Sequence, residues 1–279
     1  MHWQALSWMM RRTPRPMSAT PLEVPFCSWL PPPENLAPET DVVHAWLASL
    51  SVKASTVQRL RQLLTADEIC RAERFYFPKD RDHFIVARGV LRRILGRYLD
   101  TEPSRLRFCY SAYGKPALDT EFGGGALRFN VSHSHGVALY GVSRGREVGI
   151  DLERIRPDFA DDRVAERFFS SREVAALRSL PQSMRRDAFF NCWTRKEAYI
   201  KARGEGLSLR LDQFDVSLAP GEPAALLDTQ DDPQEACRWS LQELAPSPGY
   251  VAALAVEGHD WQLKCWQWLD WDSGLDCAV

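Results

Sequence analysis

The sequence predicts an α+β fold built as a pseudo-two-fold duplication of two similar α/β halves. Each half is expected to pack a small antiparallel sheet on a long helix, with the active site in the cleft between the halves. Two observations carry this prediction: helical and strand-like hydrophobic patterns alternate along the chain, and two short segments recur in the same order. With 279 residues, 45% of them hydrophobic, the chain can bury a sizeable core.

Composition along the chain predicts three segments: a proline-rich N-terminal tail at residues 1–40, an N-terminal half at 41–143 and a C-terminal half at 144–279. Residues 13–38 contain eight prolines, and because proline fixes φ and lacks a backbone donor, an extended stretch is expected there. Compact structure is predicted to begin near Asp41, where apolar and polar residues start to alternate.

Local patterns predict the main elements. Thr65-x-x-Glu68 has the spacing of a capping box and predicts the start of a helix. An apolar stripe predicts a long helix over residues 79–98, and the glycine run at 123–125 predicts a loop. The other face of the long helix carries arginines at 88, 92, 93 and 97. Strands are predicted at Leu106–Tyr110, Leu127–Val131, Val137–Val142, Glu147–Leu152, Tyr250–Val256 and 261–265.

Two sequence echoes support the duplication. Ala-Glu-Arg-Phe at residues 72–75 recurs at 165–168, and Arg-Asp-x-Phe at 81–84 recurs at 186–189, where each copy opens a long helix. The offsets of 93 and 105 residues predict an insertion around residues 170–185. A cleft between two such halves is a common place for a ligand pocket.

Charge and cysteine usage exclude several classes of protein. A formal net charge of −2 argues against a nucleic-acid-binding protein, and no apolar run reaches the roughly 20 residues of a membrane helix. The seven cysteines are scattered and form no C-x-x-C motif, which favours reduced thiols. We therefore expect a cytoplasmic protein without nucleic-acid or membrane partners.

Paired charges mark two candidate sites. On the predicted strand, Asp151 and Glu153 project to one face, so they either share a hard cation or simply face water at a sheet edge. In the second long helix, Glu197 and Lys201 lie one turn apart. Their spacing fits either a catalytic pair or an ordinary surface ion pair.

A third candidate site is the strand end Asn130-Val131-Ser132-His133-Ser134-His135-Gly136. His133 and His135 share a face, but no further Cys or His lies nearby in sequence to complete a zinc site. Hydroxyl and imidazole donors there suit a phosphate, whereas His135 is equally well explained as a structural histidine.

Four ordered motifs together resemble the 4′-phosphopantetheinyl transferases, in particular the long, pseudo-dimeric, surfactin-synthetase-activating type. The resemblance runs from about Leu64 to Phe214. Its motifs are Gly114-Lys115-Pro116, Asn130-Val131-Ser132-His133, Gly149-Ile150-Asp151-x-Glu153 and Trp193-x-x-Lys196-Glu197-Ala198-x-x-x-Lys201.

The resemblance implies transfer of 4′-phosphopantetheine from coenzyme A to a serine of an apo acyl or peptidyl carrier protein. It places Mg²⁺ on Asp151, Glu153 and Glu197, with Glu197 also serving as or positioning the general base. Lys201 is expected to stabilise the transferring phosphoryl group and to contact coenzyme A. The remaining contacts to coenzyme A are expected from Arg71, Arg88, Lys115, Ser132 and His133.

Two other functions stay open on the residues alone. A metal-dependent phosphohydrolase would use the same carboxylates, although such enzymes usually need ligands for two metals. A non-catalytic coenzyme A-binding protein has no use for the pair Glu197 and Lys201. A monomer is expected, because an internal duplication already provides two halves.

Overall fold

The computed structural model describes residues 28–34, 36, 39–122, 126–156, 162–230, 232 and 234–269. The glycine run at 123–125 and most of the predicted tail lie outside these ranges. Within them, no helix combines the length and the apolar character needed to cross a bilayer.

Helices and small sheets alternate through the first part of the chain. Its elements are β1 (Val42–Ser49), α1 (Ala54–Arg61), α2 (Ala66–Ala72), α3 (Pro78–Leu99), β2 (Phe108–Tyr110), β3 (Pro116–Leu118), β4 (Leu127–Ser134) and β5 (Val137–Arg144). The predicted capping box is confirmed at Thr65 and Glu68, and the predicted long helix is α3. The β4–β5 turn consists of His135 and Gly136, whose positive φ angles of 47° and 87° fit the tight hairpin turn.

The second part continues with a similar mixture. Its elements are β6 (Val148–Arg154), α4 (Asp162–Phe168), α5 (Ser171–Ser179), α6 (Gln182–Arg203), β7 (Phe214–Val216), β8 (Leu226–Thr229), β9 (Trp239–Leu244), β10 (Tyr250–Glu257) and β11 (Gln262–Gln267). This mixture confirms the α+β class. The insertion expected around 170–185 stays a prediction; that stretch forms α5 and the start of α6.

One of the two sequence echoes does not fall on matching elements. Residues 72–75 lie at the end of α2, the second helix of the first part, whereas 165–168 lie in α4, the first helix of the second part. The capping boxes match better: Thr65 and Glu68 precede α3 much as Ser170 and Glu173 precede α6. The repeat of residues 72–75 at 165–168 therefore gives no structural support to the duplication.

The two main sheets have related strand orders. One runs β11-β1-β5-β4 and the other β6-β10-β9, while β2-β3 and β7-β8 form separate hairpins. All pairs are antiparallel except β1 with β11, so the first sheet is not purely antiparallel as expected. The reason is that β11 returns from the end of the chain to the edge of β1, where Leu30 also bridges to Trp266.

The long helices each hold a buried ion pair with the capping-box glutamate that precedes them. In α3, Arg92 is 1% exposed and donates to Glu68 at 2.8 Å, so it does not lie on the solvated face that its position suggested. In α6, Lys196 is fully buried and lies 2.8 Å from Glu173. Lys196 also donates to the carbonyls of Leu211 and Phe214.

We expect Lys196→Met to lower the free energy of unfolding by about 3–5 kcal/mol. The substitution leaves the Glu173 carboxylate buried without its cation, and a lone buried charge is costly. Urea unfolding followed by tryptophan fluorescence measures the loss. The double variant with Glu173→Gln should recover part of it, and a loss below about 1 kcal/mol in the single variant would contradict the prediction.

A buried histidine predicts a pH-dependent stability. His44 in β1 is 3% exposed, its Nδ1 lies 2.5 Å from the Tyr98 hydroxyl, and burial lowers its pKa to about 4. Because the unfolded chain takes up this proton near pH 6.5, stability should fall by up to about 3 kcal/mol as the pH drops from 6.5 towards 4. The variant His44→Gln should lose this contribution, seen as a shallower difference between unfolding at pH 7 and pH 4.5. Equal pH dependence in both proteins would count against it.

Candidate active site

Strand β6 carries the two adjacent carboxylates and packs directly on α6. Ile150 and Leu152 are fully or almost fully buried in the core, and Asp151 projects to the other face, as the alternation predicted. Gly149 lies so close to α6 that a Cβ atom there would be 2.1 Å from the Ala198 carbonyl oxygen. This close approach places the carboxylate face of β6 beside α6.

Strand β4 lies along the other side of β6 and binds it through side chains. Three β4 side chains accept hydrogen bonds from backbone N–H groups of β6: Asn130 from Ile150 at 2.9 Å, Ser132 from Leu152 at 3.2 Å and Ser134 from Arg154 at 3.3 Å. These contacts join the two main sheets, because β6 is an edge strand of the second sheet.

Three predicted site residues meet where β4, β6 and α6 come together. Lys201 Nζ lies 2.5 Å from Asp151 Oδ1 and donates to Ser132 Oγ at 3.0 Å. Ser132 Oγ in turn donates to Asp151 Oδ1 at 3.0 Å. Lys201 thus contacts a strand carboxylate, and the alternative of a simple surface ion pair with Glu197 does not describe it.

The carboxylates of Glu153 and Glu197 interact electrostatically with Asp151 and Lys201. Burial, with the nearby charge of Asp151 as the next cause, raises the pKa of Glu153 to about 8 and that of Glu197 to about 7. Lys201 opposes both shifts. Such mutual repulsion is the condition that a bound cation relieves.

The donor chemistry of this group fits a hard cation. Asp151 Oδ2 is buried and has no hydrogen-bond partner, and carboxylate oxygens are the ligands that Mg²⁺ prefers. In the described ranges no three His, Cys, Asp or Glu side chains are arranged to hold a metal ion, and the cation that meets Asp151 is the Lys201 ammonium. The residue types fit the ion, whereas in the structure Asp151 Oδ1 contacts Lys201 and Glu153 Oε2 accepts from Ser134.

Lys115 lies at the junction of α6 and β6. Its ammonium donates to the Ala202 carbonyl at 2.8 Å and pairs with Glu147 at 3.0 Å. Burial lowers its pKa. These contacts join the end of α6 to the start of β6, and none of them is to Asp151 or Lys201.

The two predicted arginines lie in the first part of the fold. Arg88 pairs with Glu68, donates to the Tyr110 hydroxyl at 3.1 Å and stacks over Phe108, with 3.9 Å from its guanidinium carbon to the ring centre. Arg71 is exposed and lies over the ring of Phe84.

His133 is exposed, and alternation along β4 directs it away from the face that carries Ser132. The structure thus joins Ser132 directly with Asp151 and Lys201. Arg71, Arg88, Lys115 and His133 stand outside that contact.

Comparison with known proteins gives matches over most of the chain. The family model for the 4′-phosphopantetheinyl transferase superfamily matches residues 147–255, and that for the N-terminal part of 4′-phosphopantetheinyl transferase matches 49–142. The 4′-phosphopantetheinyl transferase HetI of Nostoc sp. (strain PCC 7120) is 45% identical over 241 residues, which cover 86% of this chain and 98% of HetI. The chain belongs to the 4′-phosphopantetheinyl transferase superfamily.

More distant relatives agree with this assignment and with the enzyme class, a transferase. The 4′-phosphopantetheinyl transferase Sfp of Bacillus subtilis (strain 168) is 29% identical over 73% of this chain and 86% of Sfp. The human L-aminoadipate-semialdehyde dehydrogenase-phosphopantetheinyl transferase is 25% identical over 68% of this chain and 66% of its own length. The resemblance read from the four motifs is confirmed.

Sequence reasoning missed several residues that build the site of this transferase. Asn130 and Ser134 hold β6 in place, and Gly149 allows β6 to approach α6, yet the motifs gave them no role. The signal for the first two was present: Asn130, Ser132 and Ser134 alternate on one face of a strand, where polar side chains are unusual unless they have partners.

Proposed function

We propose that this transferase takes the 4′-phosphopantetheine group from coenzyme A and moves it to a serine of an apo acyl or peptidyl carrier protein. The products are the holo carrier and adenosine 3′,5′-bisphosphate. The observation that carries the proposal is the contact of Lys201 with Asp151 and Ser132 beside Glu197, at the junction of β4, β6 and α6.

A bound Mg²⁺ would be held by Asp151, Glu153 and Glu197, and it would offset the charge that develops on the pyrophosphate. Glu197, buried on α6, receives the proton of the attacking serine hydroxyl or positions the base that does so. Lys201 turns from Asp151 to the transferring phosphoryl group, whose charge its ammonium stabilises. The serine oxygen then bonds to the β-phosphorus as the bond to the adenosine bisphosphate breaks.

Coenzyme A would be held by Ser132 at this junction and by basic and imidazole side chains outside it. Ser132 already donates and accepts within the site, and its hydroxyl suits a phosphate oxygen. The exposed His133 and Arg71 have side chains accessible to a nucleotide phosphate. Arg88 and Lys115 would exchange part of their present pairing for the ligand, since guanidinium and ammonium groups bind phosphates well.

The pseudo-two-fold duplication belongs to the same proposal. Each part has a strand, three helices, a short hairpin and a longer hairpin, and the sheets β1-β5-β4 and β6-β10-β9 share their order. The long helices α3 and α6 have 22 residues each, and a buried capping-box glutamate pairs with each of them. These parallels support two related halves with the site between them.

We also propose that the protein acts as a monomer in the cytoplasm. The two halves supply both sides of the site, so a second copy is not needed to complete it. In the described ranges no disulfide is formed by Cys70, Cys109, Cys192, Cys237 or Cys265. Free thiols are usual in a reducing compartment.

Intact-mass spectrometry tests the proposed function. An apo carrier protein mixed with this protein, coenzyme A and Mg²⁺ should gain the mass of one phosphopantetheine, and chelation of Mg²⁺ should abolish the gain. Coenzyme A cleaved without any gain on fatty-acid, polyketide and peptide carriers would favour a hydrolase. Coenzyme A bound but intact would favour a binding protein.

A further inference from the structure

Ser132 and Ser134 repeat one hydrogen-bonding unit along β4. Each serine hydroxyl accepts from the backbone N–H that follows a carboxylate on β6 and donates to that carboxylate. Ser132 donates to Asp151 at 3.0 Å, and Ser134 donates to Glu153 Oε2 at 3.1 Å. Both pairs are 19 residues apart in sequence, so the register of β4 against β6 sets both contacts.

The two serines differ in their other partners. Ser132 also accepts a hydrogen bond from Lys201, the residue assigned to stabilise the transferring phosphoryl group. The contacts of Ser134 are to Glu153, to the Arg154 N–H at 3.3 Å and to the ring of His135 at 3.1 Å. Ser134 therefore acts on one carboxylate without touching Lys201 or Asp151.

The position of Ser134 is itself fixed from two directions. It is the last residue of β4 and is 8% exposed. The backbone of the turn that follows it is hydrogen-bonded to the second sheet. In this hydrogen bond the Tyr250 hydroxyl donates to the His135 carbonyl at 2.9 Å. Tyr250 is opposite Arg154 in the register of β10 with β6. These two strands therefore contact both Ser134, through Glu153 and the Arg154 N–H, and the turn that follows it, through Tyr250.

We propose that Ser134 is a positioning residue for Glu153, holding its carboxylate on the cation-binding face of β6 beside Asp151. This inference rests on the proposed function, because it assigns Glu153 to the Mg²⁺ site. A hydroxyl that fixes a metal-ligating carboxylate typically raises metal affinity 10–100-fold. Ser134 does not itself contact the substrate or the reacting atoms.

The test compares Ser134→Ala and Ser134→Thr with Ser143→Ala in the full-length protein. Ser143 on β5 is a matched control, because it is fully buried and its hydroxyl donates to the Arg146 carbonyl at 2.6 Å. Mn²⁺ serves as an oxygen-binding probe for the Mg²⁺ site. Free Mn²⁺ is titrated by electron paramagnetic resonance with saturating coenzyme A, and urea midpoints are recorded for each variant.

Ser134→Ala should weaken Mn²⁺ binding about tenfold or more, while Ser134→Thr and Ser143→Ala stay within about twofold of the unmodified protein. Equal affinity in Ser134→Ala and the unmodified protein overturns the proposal, as does a loss that simply follows the urea midpoint in both alanine variants. An unmodified protein that binds no Mn²⁺ also overturns it. The proposed function fails separately, when the unmodified protein does not modify any carrier in the mass assay.

Discussion

Replacing Glu197 with glutamine is expected to lower the turnover of phosphopantetheine transfer by at least about 100-fold while the fold stays intact. Glutamine keeps the volume of the side chain but can neither take up the serine proton nor offer two anionic oxygens to Mg²⁺. The fold should persist because burial and the charge of Asp151 already disfavour the ionised form of Glu197. Time courses of carrier modification by intact mass give the rate, and circular dichroism checks the fold.

A second buried glutamate in the second part of the chain provides the control. Glu173 on α5 is 2% exposed and contacts Lys196 rather than Lys201. We expect Glu173→Gln to lower the free energy of unfolding but to retain the turnover of the folded enzyme. Near-normal turnover in the Glu197 variant, or an equal loss of turnover in both variants, would contradict the catalytic role assigned to Glu197.

Gly149→Ala is expected to lower the free energy of unfolding by about 3 kcal/mol or more, the largest loss among Gly→Ala substitutions at the described glycines. The added Cβ would lie 2.1 Å from the Ala198 carbonyl oxygen and 2.2 Å from the Ala202 backbone nitrogen. Both are backbone atoms of α6, so no side-chain rotation relieves the overlap. Because β6 must then move off α6, we expect carrier modification to fall as well.

Gly221→Ala is the matched control for the glycine substitution. A Cβ at Gly221 meets nothing within 4 Å, and its φ of +83° is the one source of strain. Its expected cost is about 1–2 kcal/mol without loss of turnover in the folded fraction. Urea unfolding of both variants measures the difference. If Gly149→Ala costs no more than Gly221→Ala, the close approach of β6 to α6 is not a requirement of the fold.

Local features of this protein were predictable from its sequence. The helix stripe placed α3 to within one residue at each end, and the capping box at Thr65 and Glu68 formed as its spacing predicted. Strand alternation correctly separated the buried Ile150 and Leu152 from the carboxylates of β6. Each of these depends on residues close in the chain, which a sequence pattern records directly.

Long-range pairing was less accessible. The contact of β11 with β1 joins residues more than 200 positions apart, and a strand pattern does not name its partner. The buried ion pairs of Arg92 and Lys196 could not be predicted for the same reason. A cationic side chain on a helix is expected to face solvent unless the carboxylate that it contacts elsewhere in the chain is known. At the site, residue types indicated the chemistry, but the contact of Lys201 with Asp151 required the packing of β6 on α6.

The parallel pairing of β1 with β11 has a consequence for biosynthesis. β1, β4 and β5 are synthesised before β11, the strand that covers the outer edge of β1 and ends at Gln267. A nascent chain therefore carries an open strand edge, with unpaired backbone donors and acceptors, until β11 has been synthesised. Completion of the first sheet requires synthesis of β11, so premature termination before β11 would leave an edge prone to aggregation rather than a smaller working enzyme.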